Sequence, residues 1–321
     1  MTSINQADGG VYILLNYVPQ LQIELKVAGF DLDWTLVRPI KSKYPISKLK
    51  SEWRFLPNRL SMLKNLQQQG YVIAIFTNQK YKGQLLTTAL TRLQEIMNEL
   101  KQNGINAWMA AATEDNYYRK PNVGMWSLFR YTFNQPSVIG FYCGDAAGRP
   151  QDFSDSDQQL VININNTYKI SLHFLLPEQV FHNSIPINFN ERLMILVGVQ
   201  GSGKTSLATY IQQHNPNTFV IDGDVYKNIN QQLRLMKENL AVGKNVVIAA
   251  TNPTQEKRQK FITDSNLPTN QIIIYWLANN GDSWNDLRDK PVPNVAINTY
   301  YSRLQLPSQT LDNIEVKEVW W

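Results

Sequence analysis

The segment Gly198-Val199-Gln200-Gly201-Ser202-Gly203-Lys204-Thr205 restricts the fold more than any other part of this 321-residue chain. It follows the apolar run RLMILVGV and precedes the mixed segment SLATYIQQH. A glycine, four residues, then glycine, lysine and a hydroxyl residue is a pattern that needs a strand to deliver it and a helix to leave it. The glycines let the backbone curl until successive N–H groups and the helix amino terminus face an anion. Lys204 then reaches terminal phosphates, and the Thr205 hydroxyl can sit on Mg²⁺. Gly198, Gly201, Ser202, Gly203, Lys204, Thr205 and Ser206 are therefore the expected positions for a nucleoside triphosphate, with Thr205 as a metal ligand. A glycine turn capping a helix is the plainer alternative, and binding does not by itself establish transfer.

The surroundings of this segment extend the same rhythm. NTFVIDGD, NVVIAATN and QIIIYWLA alternate with segments of helical length such as YKNINQQLRLMKENLAVG, which predicts a mostly parallel sheet. Upstream, LKVAGF, YVIAIFTN, NAWMAAA and SVIGFYCGD set up another such alternation. Between them LPEQVFHNSIPINFNE, with two prolines and several asparagines, places the boundary near Ile185 to Asn190. The expected architecture is two three-layer α/β domains, residues 1–185 and 186–321. A chain of this length suits two domains of roughly 100 to 200 residues. Its 43% apolar and 18% charged residues suit a globular protein.

Transfer of a phosphoryl group to an alcohol needs a base for the acceptor and a group to steady the developing charge. In VIDGDVYK, Asp222 and Asp224 follow a strand, and Asp224 is read as opening the next helix, where it serves either as the base or as a helix cap. WNDLRDKPVP is read as a lid with Arg288 as the charge-stabilising arginine, surface salt-bridging being the equal alternative.

In AGFDLDWTLV, Asp31 and Asp33 lie where an apolar run ends. Two residues apart on one strand, their side chains share a side while Leu32 points away. Paired carboxylates beside Mg²⁺ can divide the removal of a phosphate: one attacks phosphorus and becomes an aspartyl phosphate, and the other protonates the leaving oxygen and later activates water. Alone, the pair also reads as a turn. Three companions follow in order. Thr77 and Asn78, in Phe76-Thr77-Asn78-Gln79, offer a hydroxyl and amides to phosphate oxygens. Lys120, in Tyr118-Arg119-Lys120-Pro121, offers a cation for the nucleophile and the phosphoryl group. Asp145, in Gly144-Asp145, joins Asp31 and Asp33 as an expected ligand of a metal that prefers oxygen. Singly these are a turn, a solvated helix start and a strand end; jointly they favour a reaction centre.

Net charge is +5, and residues 1–185 hold 18 Lys/Arg against 14 Asp/Glu while residues 186–321 hold 13 against 12. Arg38, Lys41, Lys43, Lys48, Lys50 and Arg54, interleaved with Tyr44, Trp53 and Phe55, either line a channel for a polyanion or form a solvated loop. The single cysteine, Cys143, excludes an internal disulfide framework and fits a reducing compartment. No apolar run approaches the ~20 residues of a bilayer span, and no basic-then-apolar leader opens the chain. A soluble intracellular protein with no membrane partner is the expectation.

On these residues the chain resembles the bifunctional polynucleotide kinase 3′-phosphatases. FDLDWTL, FTNQ, YRKPNVGMW and CGDAAGRPQDFSDSD match, in order, the motifs of their haloacid dehalogenase-type phosphatase domain; GVQGSGKT, IDGD and Thr251-Asn252-Pro253 match their P-loop NTPase-like kinase domain. The match runs over about residues 25 to 305. The resemblance implies Asp31 as nucleophile, Asp33 as acid/base, Thr77 and Lys120 as phosphate holders, Asp145 as metal ligand and Asp157 as support for the acidic cluster. It implies Lys204 and Thr205 on ATP and Mg²⁺, and Asp224 as base for a 5′-hydroxyl. The implied substrates are DNA or RNA ends with a 3′-phosphate or 5′-hydroxyl, left ready for a ligase. The implied location is the nucleus in a eukaryote, otherwise the cytoplasm or a viral replication site.

The phosphatase-first order is that of eukaryotic repair enzymes, which often carry an amino-terminal phosphopeptide-binding domain; with about two dozen residues before the first motif, none is expected here. Two features depart from the family pattern. Ala249 and Ala250 stand where an aspartate usually precedes Thr-Asn-Pro, and the arginine-rich lid is reduced, Asp286 lying beside Arg288. Two alternatives stay open: a 3′-phosphatase whose kinase half is impaired or only senses nucleotide, and a kinase/phosphatase pair for a small metabolite. No motif specifies the 2′-hydroxyl contacts that separate RNA from DNA.

Overall fold

The run Val27 to Phe30 is buried on both faces, with Val27, Ala28 and Phe30 closed to solvent. Such a strand belongs inside a parallel sheet covered by helices. The computed structural model describes residues 3–7, 9–19, 24–40, 42, 44–46, 52–134, 137–150, 152–181, 191–277 and 291–319. It divides into two compact units, the first reaching His182 and the second starting at Asn183.

In the first unit the strands are β1 (Ser3–Ala7), β2 (Val11–Leu15), β3 (Glu24–Phe30), β4 (Val37–Pro39), β5 (Trp53–Phe55), β6 (Val72–Asn78), β7 (Ala107–Ala112), β8 (Ser137–Cys143) and β9 (Leu172–Leu175). The helices are α1 (Arg59–Gln68), α2 (Gln84–Gln102), α3 (Gly124–Phe133), α4 (Ser156–Tyr168) and the short α5 (Pro177–Val180). Seven strands form one sheet in the order β1-β2-β7-β6-β3-β8-β9. From β7 to β9 all pairings are parallel, and the β1–β2 hairpin closes one edge antiparallel. Leu63, Leu66, Leu93, Ile96 and Met97 of α1 and α2 pack on one face against Ala28, Phe30 and Ile75. Trp126, Phe129, Leu160 and Ile164 of α3 and α4 pack on the other against Val27, Phe76 and Trp108. Each such side chain stabilises the unit by roughly 1.5–3 kcal/mol, which makes two cores rather than one. From β3 the chain steps to β6 and β7 on one side and later to β8 and β9 on the other, so the carboxyl end of β3 lies at the point where the order reverses, the crevice such sheets use for ligands.

The second unit restarts the plan with β10 (Leu193–Val197), β11 (Thr218–Asp222), β12 (Asn245–Ala249), β13 (Ile272–Leu277) and β14 (Glu315–Val319). They form a sheet of order β11-β12-β10-β13-β14 in which every pairing is parallel. Helix α6 (Lys204–His214) covers one face through Leu207, Ala208 and Ile211; α7 (Ile229–Ala241) and α8 (Gln255–Asp264) cover the other through Met236, Leu240 and Phe261. A further helix, Asn294–Arg303, packs Ile297, Tyr300 and Tyr301 against Val199 of the glycine loop. Among the described residues no helix is long and apolar enough to cross a membrane.

Candidate active site

Strand β3 stops one residue short of Asp31, so a turn, rather than the face of a strand, presents the two carboxylates. The Asp31 N–H donates to the Cys143 carbonyl oxygen at 2.9 Å, which ties the ends of β3 and β8 together. The chain then doubles back: the Leu36 and Val37 N–H groups donate to the Leu32 carbonyl at 2.9 and 3.0 Å. Leu32 is buried in the core beneath, and Asp31 and Asp33 are left to face Lys120 and Gln79 respectively.

Lys120 reaches the Asp31 carboxylate from the loop before α3. Its ammonium donates to Asp31 Oδ1, to Asp157 Oδ1 at 2.7 Å and to the Tyr142 hydroxyl at 3.1 Å, which uses all three of its N–H bonds. Burial pulls this ammonium down, but Asp157 and Asp31 more than offset that and hold it above its ordinary value. Burial, then Asp157 and Asp31, keep the Tyr142 phenol protonated, and it donates to Asp157 at 3.0 Å. Asn78 clamps the loop backbone, accepting from the Lys120 N–H at 2.9 Å and donating to the Lys120 carbonyl at 3.1 Å. Asn78 thus holds the lysine, whereas phosphate contact was expected of it.

Asp157, in the first turn of α4, enters the same group through Gly144. A Cβ at Gly144 would collide with the Asp157 carboxylate, so only glycine lets that carboxylate come in. Its Oδ2 accepts from the Ala146 N–H at 3.1 Å. Asp31, Asp145 and Asp157 each bring an oxygen within 4.8 Å of the others. Burial pushes Asp31 up to about 7, with Lys120 pulling it back and Asp157 adding to the rise. Burial, with Asp31 and Asp157 close by, also holds Asp145 well above the usual carboxylate range. An all-oxygen set with negative charge in excess fits a hard divalent cation such as Mg²⁺. Asp31 and Asp145 could hold such a cation, since Asp157 already accepts from Lys120, Tyr142 and Ala146.

The Asp33 carboxylate, expected among the metal ligands, is placed elsewhere. Arg92, wholly buried on α2, makes an ion pair with it, and Gln79 Nε2 donates to its Oδ2 at 2.8 Å. The same amide donates to Thr77 Oγ1 at 2.8 Å, which joins the expected acid/base to the expected phosphate holder. Arg92 is named by no motif argument, whereas Gln79 ends the motif Phe76-Thr77-Asn78-Gln79, whose amides were expected on phosphate rather than on Asp33. The available signal is a lone arginine on the apolar stripe Ala89, Arg92, Leu93, Ile96.

In the second unit the glycine loop curls as its sequence requires. Gly201 and Gly203 take φ of 79° and 89°, and a Cβ at Gly198 would strike Ser202 Oγ. Lys204 lies back on the loop, donating to the Val199 carbonyl at 2.6 Å. Thr205 Oγ1 donates to Asp222 Oδ2 at 3.4 Å, and the exposed Ser206 follows it on α6. Asp224 is exposed but does not open the next helix. Its N–H is captured by Asp222 Oδ1 at 2.7 Å, and α7 starts at Ile229 behind an Asn228 cap. Arg288 lies outside the described residues, as do Lys41, Lys43, Lys48 and Lys50. Of the basic and aromatic segment, Arg38 and Phe55 are buried, and Trp53 donates to Glu95 at 3.1 Å, so these three serve the unit itself.

A mostly parallel α/β unit whose central strand leads into a lysine-paired aspartate ringed by further carboxylates, followed by a second parallel α/β unit with a glycine-rich loop after β10, defines a two-unit α/β protein with a buried acidic centre suited to phosphoryl chemistry. Residues 26–181 match the family model described as polynucleotide kinase 3 phosphatase, and the chain belongs to that family. It is 29% identical to the bifunctional polynucleotide phosphatase/kinase of Schizosaccharomyces pombe, across 92% of this chain and 79% of that one. An uncharacterized 20.8 kDa protein of Autographa californica nuclear polyhedrosis virus is 36% identical over 48% of this chain and 84% of its own. The polynucleotide 3′-phosphatase ZDP of Arabidopsis thaliana is 32% identical over 49% of this chain and 24% of its own.

Proposed function

We propose that this protein heals nucleic-acid ends, removing a 3′-phosphate in its first unit and phosphorylating a 5′-hydroxyl from ATP in its second. The observation that carries the first activity is the buried ion pair of Lys120 with Asp31, beside Asp145 and Asp157. Asp31 attacks phosphorus; the bond to the 3′ oxygen breaks, and that oxygen takes a proton from Asp33. Asp33, now a carboxylate, draws a proton from water as the water oxygen attacks phosphorus and the bond to Asp31 breaks, releasing phosphate. Lys120 pulls Asp31 back toward its ionised, nucleophilic form against the effect of burial and offsets phosphoryl charge, and Thr77 holds a phosphoryl oxygen. Mg²⁺, held by Asp31 and Asp145, supplies further electrostatic stabilisation of that charge. In the second unit Lys204 and Thr205 hold ATP and its Mg²⁺, with Asp224 taking the proton of the 5′-hydroxyl.

A polynucleotide substrate is favoured by Phe153, 79% exposed on the loop between Asp145 and Asp157, where a terminal base can stack. A second reading, an active phosphatase with a nucleotide-sensing kinase half, draws on Ala249 and Ala250, which are built into two of the apolar clusters of the second unit.

A nicked duplex with a 3′-phosphate and a 5′-hydroxyl, incubated with ATP and Mg²⁺, tests both activities at once. Wild type removes the first phosphate and adds the second; Asp31→Asn loses only removal and Lys204→Ala only addition. Full removal by Asp31→Asn, or full addition by Lys204→Ala, sinks the corresponding assignment. ATP binding without 5′ transfer selects the second reading.

A further inference from the structure

Asp33 is held more elaborately than an acid/base at a turn needs to be. Arg92 is fully enclosed and the Asp33 side chain is 16% exposed, so their ion pair is nearly dry. Arg92 sits on the buried stripe of the long helix α2, fixed between Ala89 and Ile96. Oδ2 of Asp33 accepts from Gln79 Nε2 at 2.8 Å and from Arg92 Nη1 at 3.4 Å. Oδ1 accepts from Arg92 Nη2 alone among the described residues. A carboxylate oxygen has room for about two donors, so Oδ2 is filled and Oδ1 keeps one open direction. The guanidinium fork also fixes the plane of the carboxylate, which a point charge would not do. The other N–H of the Gln79 amide is bound to Thr77 Oγ1 at 2.8 Å, so the carboxylate and the phosphate-holding hydroxyl share one rigid link.

We propose that Arg92 and Gln79 are positioning residues that present Oδ1 of Asp33 to the leaving oxygen and then to water, Gln79 keeping that oxygen in register with the phosphate held by Thr77. This rests on Asp33 being the acid/base of the proposed phosphatase. Both proton transfers use the same oxygen: Oδ1 gives its proton as the bond between phosphorus and the 3′ oxygen breaks, and regains one from water as the bond between phosphorus and Asp31 breaks.

The test uses the full chain with two substrates, a 3′-phosphorylated oligonucleotide and p-nitrophenyl phosphate, whose leaving oxygen needs no acid. Phosphate bound covalently to the protein is trapped by acid quench. Arg92→Met is expected to lower kcat on the oligonucleotide on the order of 10²-fold with KM little changed. On p-nitrophenyl phosphate the first step survives and the second does not, so trapped phosphoprotein accumulates. Arg92→Lys restores part of both rates, and Gln79→Leu, which leaves α2 intact, gives the same accumulation if Arg92→Met does not fold. Wild-type turnover in Arg92→Met, or loss on both substrates with no trapped phosphate, overturns the inference. Phosphate still trapped in Asp31→Asn brings down the reading beneath it instead.

Discussion

Lys120 is enclosed with two carboxylates, and its removal would strand their charge away from water at a cost of about 3–5 kcal/mol. The same crowding governs Asp31. Its folded value, pushed up to about 7 by burial, lies above its unfolded value, so the folded state holds the extra proton between the two. The metal-free protein therefore has this group's contribution in full below about pH 4 and loses it as pH rises through about 7. A divalent cation must displace that proton, so its affinity rises over the same range. Melting curves with and without Mg²⁺ should show a larger metal-induced gain at about pH 8 than at about pH 5, and Asp31→Asn should flatten the difference. An equal gain at both values, or an unchanged difference in the variant, would refute the assignment. The residues behind this argument were readable in the sequence to different depths. Asp31, Lys120 and Asp145 stand out because their motifs follow apolar runs in a fixed order, although Lys120, read as a helix start, lies in the loop before α3. Asp157 was legible only as support, since its entry depends on the missing side chain of Gly144. Arg92 offered only its place on the apolar stripe of α2, and an arginine there has no assigned role until its tertiary partner, here Asp33, is known.

At the level of elements, the four apolar runs read from the first half are β3, β6, β7 and β8, and those of the second are β10, β11, β12 and β13. The rest was hidden for physical reasons. An antiparallel β1–β2 edge and the three-residue strands β4 and β5 do not follow the alternation of strand and helix, and their stability comes from the sheet or turn they join. Register adds something no motif contains. Strands β11 and β12 pair so that Asp222 lies beside Ala249, on the face that α6 covers. The carboxylate missing from the end of β12 is thus present one strand over, within 3.4 Å of the Thr205 hydroxyl. Asp222→Asn should weaken Mg²⁺-dependent ATP binding by about 10- to 100-fold, as loss of a supporting metal contact usually does. Calorimetric titration with ATP, with and without Mg²⁺, measures it; affinities that respond equally to Mg²⁺ in both proteins would refute the role.

On the scale of the whole molecule, each of the apolar clusters is built from one unit: two draw only on residues up to Phe181, and three only on residues from Leu193 onward. Folding cooperativity follows shared cores, and neither unit's core takes a residue from the other among those described. The first unit, with two helix-covered faces on its sheet, is also well above the size at which a domain needs outside help to bury enough surface. Two unfolding transitions are therefore expected in calorimetry, each answering to its own ligand. A ligand at 100 times its Kd stabilises the unit that binds it by about 2.7 kcal/mol and leaves an independent unit where it was. Mg²⁺ with ATP should raise one transition, and Lys204→Ala should abolish that shift alone. Mg²⁺ with a phosphate analogue that can occupy the Asp31 site should raise the other, and Asp31→Asn should abolish only that. A single transition moved by both ligands would mean that the units fold as one, and that an end-healing site in either half depends on the other for its shape.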